Sequence, residues 1–181
     1  MASTEVNLSD RMKVLSLDTK DGEEYKYISN FSEKILIEVQ NIVSKYLSEP
    51  YSIYTYRYFL IKWPELCIAC MKGNKLIGAI VCKEEMIENG RKEGYIGMLA
   101  VEPNYRGQGI GSKLVEKAIE KMKENGCDEV TLETEVTNEG ALALYTRFGF
   151  IKLQKLFRYY LNGVDAFRLK LFLTNPLKSG N

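Results

Sequence analysis

The stretch YIGMLAVEPNYRGQGIGSKLVEKAIEKM, residues 95–122, limits the fold of this chain more than any other. An apolar run ending at Val101 reads as a strand, and the polar link EPNYR follows it. Gly107, Gly109 and Gly111 then stand at the head of a helix whose apolar stripe is Ile110, Leu114, Val115, Ala118, Ile119 and Met122. Glycine in a helix costs about 1 kcal/mol relative to alanine, so this placement requires a reason. Backbone N–H groups at a helix start are unpaired and carry partial positive charge, which makes an anion site. Glycine lets a phosphate approach that backbone with no Cβ in the way.

The remaining pattern organises around this unit. EEYKYIS reads as a short strand, FSEKILIEVQNIVSKYL as a helix with Ile35, Val39, Ile42, Val43 and Tyr46 on one stripe, and SEPYSIYTYRYFLIK as a second helix closing before Pro64. Tyr54, Tyr58 and Phe59 are read as core positions of that helix. LCIACMK and KLIGAIVCKEE flank Gly73-Asn74 as a tight hairpin, and Asn89-Gly90 marks a turn before the central strand. After the glycine-headed helix, which stops at Asn125-Gly126, come the strand DEVTLETEV, a helix capped by Asn138 and ended by Gly149, and a hairpin of FIKLQKLFRYYL and VDAFRLKLFL around Asn162-Gly163. The fold class is α/β: one mixed, mostly antiparallel sheet, about four helices, and a central strand–helix–strand–helix unit. Residues 1–23 are expected to be a weakly ordered extension, 24–174 the domain, and 175–181 a tail.

Composition excludes several function classes. The 181 residues contain no histidine, so Ser-His-Asp and Cys-His mechanisms and histidine-ligated metals are ruled out. Any acid or base must be Glu, Asp, Lys, Tyr, Cys or water. The net charge is +1, from 25 basic and 24 acidic side chains that are interspersed, which announces no nucleic-acid or anionic-membrane face. The N-terminus lacks the basic start and apolar stretch of a signal peptide, so a soluble, cytoplasmic protein is expected. Cys67 and Cys70 form a CxxC pair, but on a strand residues three apart point to opposite faces, and Cys82 and Cys127 stand alone. Reduced core cysteines and no metal are expected.

Spacing separates the loops that hold phosphate. A Walker A loop needs GxxxxGK[ST], and no glycine sits at the required offset; a GxGxxG fingerprint fails at Ser112. The pattern Arg/Gln-x-x-Gly-x-Gly/Ala is met in full by Arg106-Gly107-Gln108-Gly109-Ile110-Gly111. In this the chain resembles the GNAT acetyltransferases, whose loop of this form binds the pyrophosphate of acetyl-CoA. The blocks LSEPYSIYTYRYFL, YIGMLAVEPNYRGQGIG, CDEVTLETEVTN, ALALY and LFRYYLNGVDAFRLKL resemble the catalytic subunits of NatC-type N-terminal acetyltransferases, from about Tyr46 to Leu173.

The resemblance implies a GNAT fold and transfer of acetyl from acetyl-CoA to the α-amine of proteins starting Met-Leu, Met-Ile or Met-Phe, by a general-base route without a covalent intermediate. It implies Glu133 as base, Tyr145 as donor toward the leaving thiolate, and Tyr95 near the amine. Glu133 and Glu135 share one strand face, and their alternative reading is a pair of solvated strand-end carboxylates. Tyr145 lies on a stripe with Ala141, Leu144 and Phe148, which a core tyrosine would also explain. Cofactor contacts are implied for Leu99 and Val101, for Arg106, Gly107, Gln108, Gly109, Ile110, Gly111 and Ser112, and for Asn138 and Tyr145. Substrate contacts are implied for Leu47, Glu49, Tyr51, Tyr159 and Tyr160. Auxiliary subunits and the ribosome are the implied partners beside nascent N-termini. Competing readings are a lysine or small-molecule acetyltransferase of the same fold, and a non-catalytic acetyl-CoA-binding subunit.

Overall fold

The computed structural model describes residues 12–20, 22–47, 51–88 and 90–174. Strands β1 (Lys13–Lys20) and β2 (Glu23–Ser29) open the chain, followed by helices α1 (Glu33–Tyr46) and α2 (Ile53–Lys62). Next come β3 (Cys67–Lys72), β4 (Lys75–Met86), β5 (Lys92–Val101), α3 (Ile110–Glu124), β6 (Glu129–Glu135), α4 (Glu139–Arg147), β7 (Ile151–Leu156) and β8 (Ala166–Phe172). The described strands form one eight-stranded sheet in the order β1-β2-β3-β4-β5-β6-β8-β7. Every neighbouring pair is antiparallel except β5 with β6. The crossover between those two parallel strands is α3, as parallel pairing requires a long connection.

Strand alternation divides the core into two layers. Ile68 and Cys70 of β3 pack with Ile110, Leu114, Val115, Ala118 and Met122 of α3 and with Tyr145 of α4. Cys67, Ala69 and Met71 of the same strand pack on the opposite face with Leu36, Val39, Ile42 and Val43 of α1 and Tyr56, Phe59 and Leu60 of α2. Cys67 and Cys70 therefore point apart, and burial pushes each thiol up to about 12. All four cysteines are free and buried.

Three expectations need correction. Residues 13–20, expected within a loose extension, form β1, paired antiparallel along β2. Their side chains are mostly exposed, with Val14 and Leu17 about half open to solvent, so the strand is held by its ladder rather than by a buried stripe. The last hairpin is also shorter in strand than expected: Asn162-Gly163 turns inside a longer connection, residues 157–165. Arg158 there takes a left-handed φ of 46°, and its N–H donates to Asp165 Oδ1 at 2.8 Å. Finally, α2 turns only Tyr56, Phe59 and Leu60 inward, leaving Tyr54 74% and Tyr58 46% exposed. No helix among the described residues is long and apolar enough to cross a membrane.

Candidate active site

The parallel pairing of β5 with β6 covers Glu93, Gly94 and Tyr95 opposite Glu129, Val130 and Thr131, and extends no further. Beyond Tyr95 the strands part, β5 staying with β4 through Val101 and β6 staying with β8 through Glu135. A cavity of about 440 Å³ fills the gap. Its walls include Tyr95, Gly97, Met98 and Leu99 of β5 and Leu132, Glu133, Thr134 and Glu135 of β6. Asn138, Ala141 and Tyr145 close it from α4, Leu47 and Tyr51 from the α1–α2 link, and Tyr159, Tyr160 and Asn162 from the β7–β8 link. The splay leaves the β6-facing edge of β5 without a strand beside it, so its backbone groups there are open to an extended ligand.

Glu133 is the most constrained carboxylate of the cavity. Its side chain is 6% exposed; Tyr95 Oη donates to Oε2 at 2.7 Å, and Arg168 Nε donates to Oε1 at 2.8 Å. Arg168 stands directly opposite Glu133 in the β6–β8 ladder. Each bond uses one lone pair of a carboxylate that offers about four, so Glu133 retains sites for a water or an amine. Glu135 is spent differently, accepting from Asn162 Nδ2 at 3.1 Å and Thr137 Oγ1 at 3.4 Å, which ties the β7–β8 link to β6. Sequence reasoning assigned no role to Arg168. Its signal was the pairing of FRLKL with TLETE across strands, which no local pattern reveals.

The tyrosines are held as phenols. Tyr145 is 4% exposed and its ring meets Phe150 edge-on at 5.3 Å; burial, and secondarily Cys82 and Tyr160, push its hydroxyl well above the usual phenol range. Tyr95 is pushed the same way by burial first and by its bond to Glu133 second. Both stay protonated donors at neutral pH. Tyr159 and Tyr160 meet edge-to-face at 5.1 Å, making an aromatic corner of the cavity.

The glycine loop lies at the far end of the splayed segment of β5. Gly107 and Gly109 take φ of 73° and 89°, and a Cβ on either would meet nothing within 4 Å. Gly109 is the N-cap of α3, whose first turn carries neither a side-chain cap nor an acidic residue. This donor set, backbone N–H groups at an open, uncapped helix start, fits a pyrophosphate. Gly111 is helical rather than left-handed, and a Cβ there would make ordinary contacts with Val101 and Leu144. Arg106 folds back, its Nε donating to the Val101 carbonyl at 2.9 Å and its guanidinium lying over the Tyr46 ring at 4.9 Å. The Val101 carbonyl is thus engaged within the chain. Asn138 caps α4, its Oδ1 accepting from Ala141 N at 3.1 Å.

Of the implied residues, Leu47, Tyr51, Tyr95, Leu99, Glu133, Asn138, Tyr145, Tyr159 and Tyr160 meet in the one cavity. Val101 and residues 106–112 are not among the cavity's walls; they follow Leu99 along the end of β5, the connection after it and the start of α3. Glu49 lies outside the described residues.

Comparison with known proteins gives a consistent picture. Residues 36–150 match the model of the acetyltransferase (GNAT) family. The chain is 55% identical over 148 residues to N-alpha-acetyltransferase 30 of Homo sapiens, covering 82% of this chain but 41% of the human protein. It is 52% identical over 155 residues to N-alpha-acetyltransferase 30 of Saccharomyces cerevisiae, covering 83% and 88%. The chain therefore spans less than half of the human relative and most of the yeast one. Among solved structures, a chain of the NatC complex bound to Gag peptide and CoA superposes with a TM-score of 0.81 at 50% identity, covering 83% of this chain and 99% of that one.

Proposed function

The chain belongs to the acetyltransferase (GNAT) family, matched over residues 36–150, and from that premise we propose that it is an N-terminal α-acetyltransferase of NatC type. Its donor is acetyl-CoA, which supplies the acetyl thioester. Its acceptors are the α-amines of polypeptides that begin Met-Leu, Met-Ile or Met-Phe. The observation that carries the reading is the single cavity in which Glu133, Tyr95 and Tyr145 meet, next to an uncapped glycine loop.

The chemistry follows from those groups. An α-amine has a pKa of about 7.7–8.0, so roughly a tenth to a sixth of it is neutral at pH 7, and that fraction can attack without prior help. Once the new C–N bond forms, however, the nitrogen becomes a far stronger acid, and Glu133 takes its proton directly or through water. Tyr95 holds Oε2 of that carboxylate and Arg168 holds Oε1, which fixes the base in place. As the C–S bond breaks, the Tyr145 hydroxyl donates a hydrogen bond to the thiolate. A phenol raised by burial stabilises the sulfur by that bond without surrendering its proton.

Leu47, Tyr51, Tyr159 and Tyr160 supply an apolar, aromatic wall suited to a methionine and a bulky second side chain. Glu49 is assigned to the positive end of the peptide. Auxiliary subunits are assigned as partners on the likeness to a chain solved within the NatC complex; the ribosome as partner and the cytoplasm as site belong to the same proposal.

The test is acetylation of a peptide panel by the purified chain, read by mass spectrometry. Peptides begin Met-Leu, Met-Ile, Met-Glu or Ser, and one α-blocked peptide carries an internal lysine. Acetylation of the first two at the α-amine is expected. Preference for the blocked lysine peptide would keep the family and overturn the substrate; silence together with CoA binding would indicate a missing auxiliary subunit or a non-catalytic subunit.

A further inference from the structure

The glycine loop is gripped from outside the cavity. Gln108 stands between the two left-handed glycines, and three of its polar atoms are engaged. Its Oε1 accepts from Tyr25 Oη at 3.1 Å, its Nε2 donates to the Asn104 carbonyl at 3.2 Å, and its own carbonyl accepts from Lys20 Nζ at 3.0 Å. Lys20 ends β1 and Tyr25 lies in β2, more than eighty residues away along the chain. Tyr25 is only 4% exposed and belongs to the same core layer as Ile110 and Leu114 of α3, so its hydroxyl is carried on a rigid support. That hydroxyl has one proton and two acceptors, since Glu23 Oε2 also lies at 3.1 Å, and Glu23 is ion-paired with Lys72 of β3. The grip therefore runs from the loop into three strands.

Glycines give a loop freedom that must be lost when an anion is cradled, and glycine loses more than any other residue. An outside hold that removes that freedom in advance raises affinity without touching the ligand. We propose that the β1–β2 hairpin is a clamp for the cofactor loop, with Tyr25 and Lys20 as positioning residues that act through Gln108 and preset the loop for the pyrophosphate of CoA. The clamp rests on the acetyl-CoA reading given above. It gives the first strand of the sheet a function and makes the side chain of Gln108 a peg rather than a ligand.

The experiment is calorimetric titration of CoA into the full chain and into Tyr25→Phe, Lys20→Met, Gln108→Ala and the Tyr25→Phe/Gln108→Ala pair. Tyr25→Phe keeps the buried ring and should weaken CoA binding about fivefold, the loss of one neutral hydrogen bond. Gln108→Ala, which also gives up the Asn104 contact, should cost at least as much, and the pair little more than Gln108→Ala alone, because both remove the Tyr25–Gln108 bond. In peptide assays Tyr25→Phe should raise KM for acetyl-CoA while kcat at saturation holds, and the melting temperature should fall by no more than the few degrees that one hydrogen bond is worth. A merely structural role would lower the melting temperature and leave KM for acetyl-CoA alone. Unchanged CoA affinity in Tyr25→Phe and Lys20→Met would overturn the clamp. An unaltered chain that binds no CoA would overturn the acetyl-CoA reading itself, and the clamp with it.

Discussion

In the proposed reaction Glu133 accepts a proton while two neighbours already hold its oxygens, and that tension sets what substitutions there should do. Glu133→Gln keeps the shape and the Tyr95 contact but removes basicity. It should lower kcat by about 10²-fold or more, the usual scale of general-base catalysis, while CoA affinity stays as it was; equal loss of both would remove Glu133 as base. Arg168→Met leaves a nearly buried carboxylate without its cation, so kcat should fall by about tenfold, with partial recovery in Arg168→Lys, since lysine restores the charge but not the fork. Steady-state kinetics on a Met-Leu peptide decides both. The pH profile has its own sign. Activity should rise as the substrate amine loses its proton through about pH 7.7–8.0. It should then hold level, because burial keeps Tyr95 and Tyr145 protonated beyond the ordinary phenol range. An alkaline decline below about pH 9.5 would contradict the tyrosine assignment. That Glu133 and Tyr145 line one cavity was expected through the resemblance carried by TLETE and ALALY. Arg168 was not, because a cross-strand partner is set by register and register is nowhere written locally.

At the scale of elements, the two ends of the glycine motif separate into different physical cases. Gly109 caps α3 with φ of 89°, a conformation that costs an L-residue about 1–2 kcal/mol. Gly111 is helical with room for a methyl group against Val101 and Leu144, and its place in the motif admits alanine. Gly109→Ala should therefore lose both stability and CoA binding. Gly111→Ala should gain about 0.5–1 kcal/mol by relieving helical glycine and keep its CoA binding. Chemical denaturation paired with CoA titration checks the contrast, and a Gly111→Ala chain that cannot bind CoA would mean the ligand, not the helix, demands that glycine. The helices could be read because each carries an apolar stripe that the core buries, and the central strands because they are apolar on both faces. β1 could not, since its exposed side chains leave no such stripe and its partner is β2. The β7–β8 link was misread for a similar reason: Asn162-Gly163 is a true turn signal, but Arg158 and Asp165 end the strands before it.

For the molecule as a whole, the cavity exists because β5 and β6 pair briefly and then diverge, so whatever holds their paired ends sets the opening. Just below the divergence a charged cluster is buried: Glu129 is 3% exposed, Arg91 Nε donates to its Oε2 at 3.2 Å, and Lys170 pairs with its Oε1. The three residues come from the turn before β5, from β6 and from β8, so one carboxylate ties together the elements that frame the site. Asp128 adds a second tie, its Oδ2 accepting from Lys92 N at 2.9 Å and its Oδ1 from Thr174 Oγ1 at 2.9 Å. Glu129→Gln would take the carboxylate from two cations, and breaking a buried pair in this way costs about 3–5 kcal/mol. At roughly 2–4 °C per kcal/mol for a chain of this size, calorimetry should record a fall in melting temperature of about 6–20 °C. The same variant, assayed cold where it remains folded, should lose more in kcat than in CoA affinity. The glycine loop is anchored to α3 and the first hairpin, whereas Glu133 and Tyr95 depend on the β5–β6 junction that Glu129 holds. A loss shared equally between the two would mean that the sheet opens as one body, and that the cofactor loop and the acid–base pair are not separately supported.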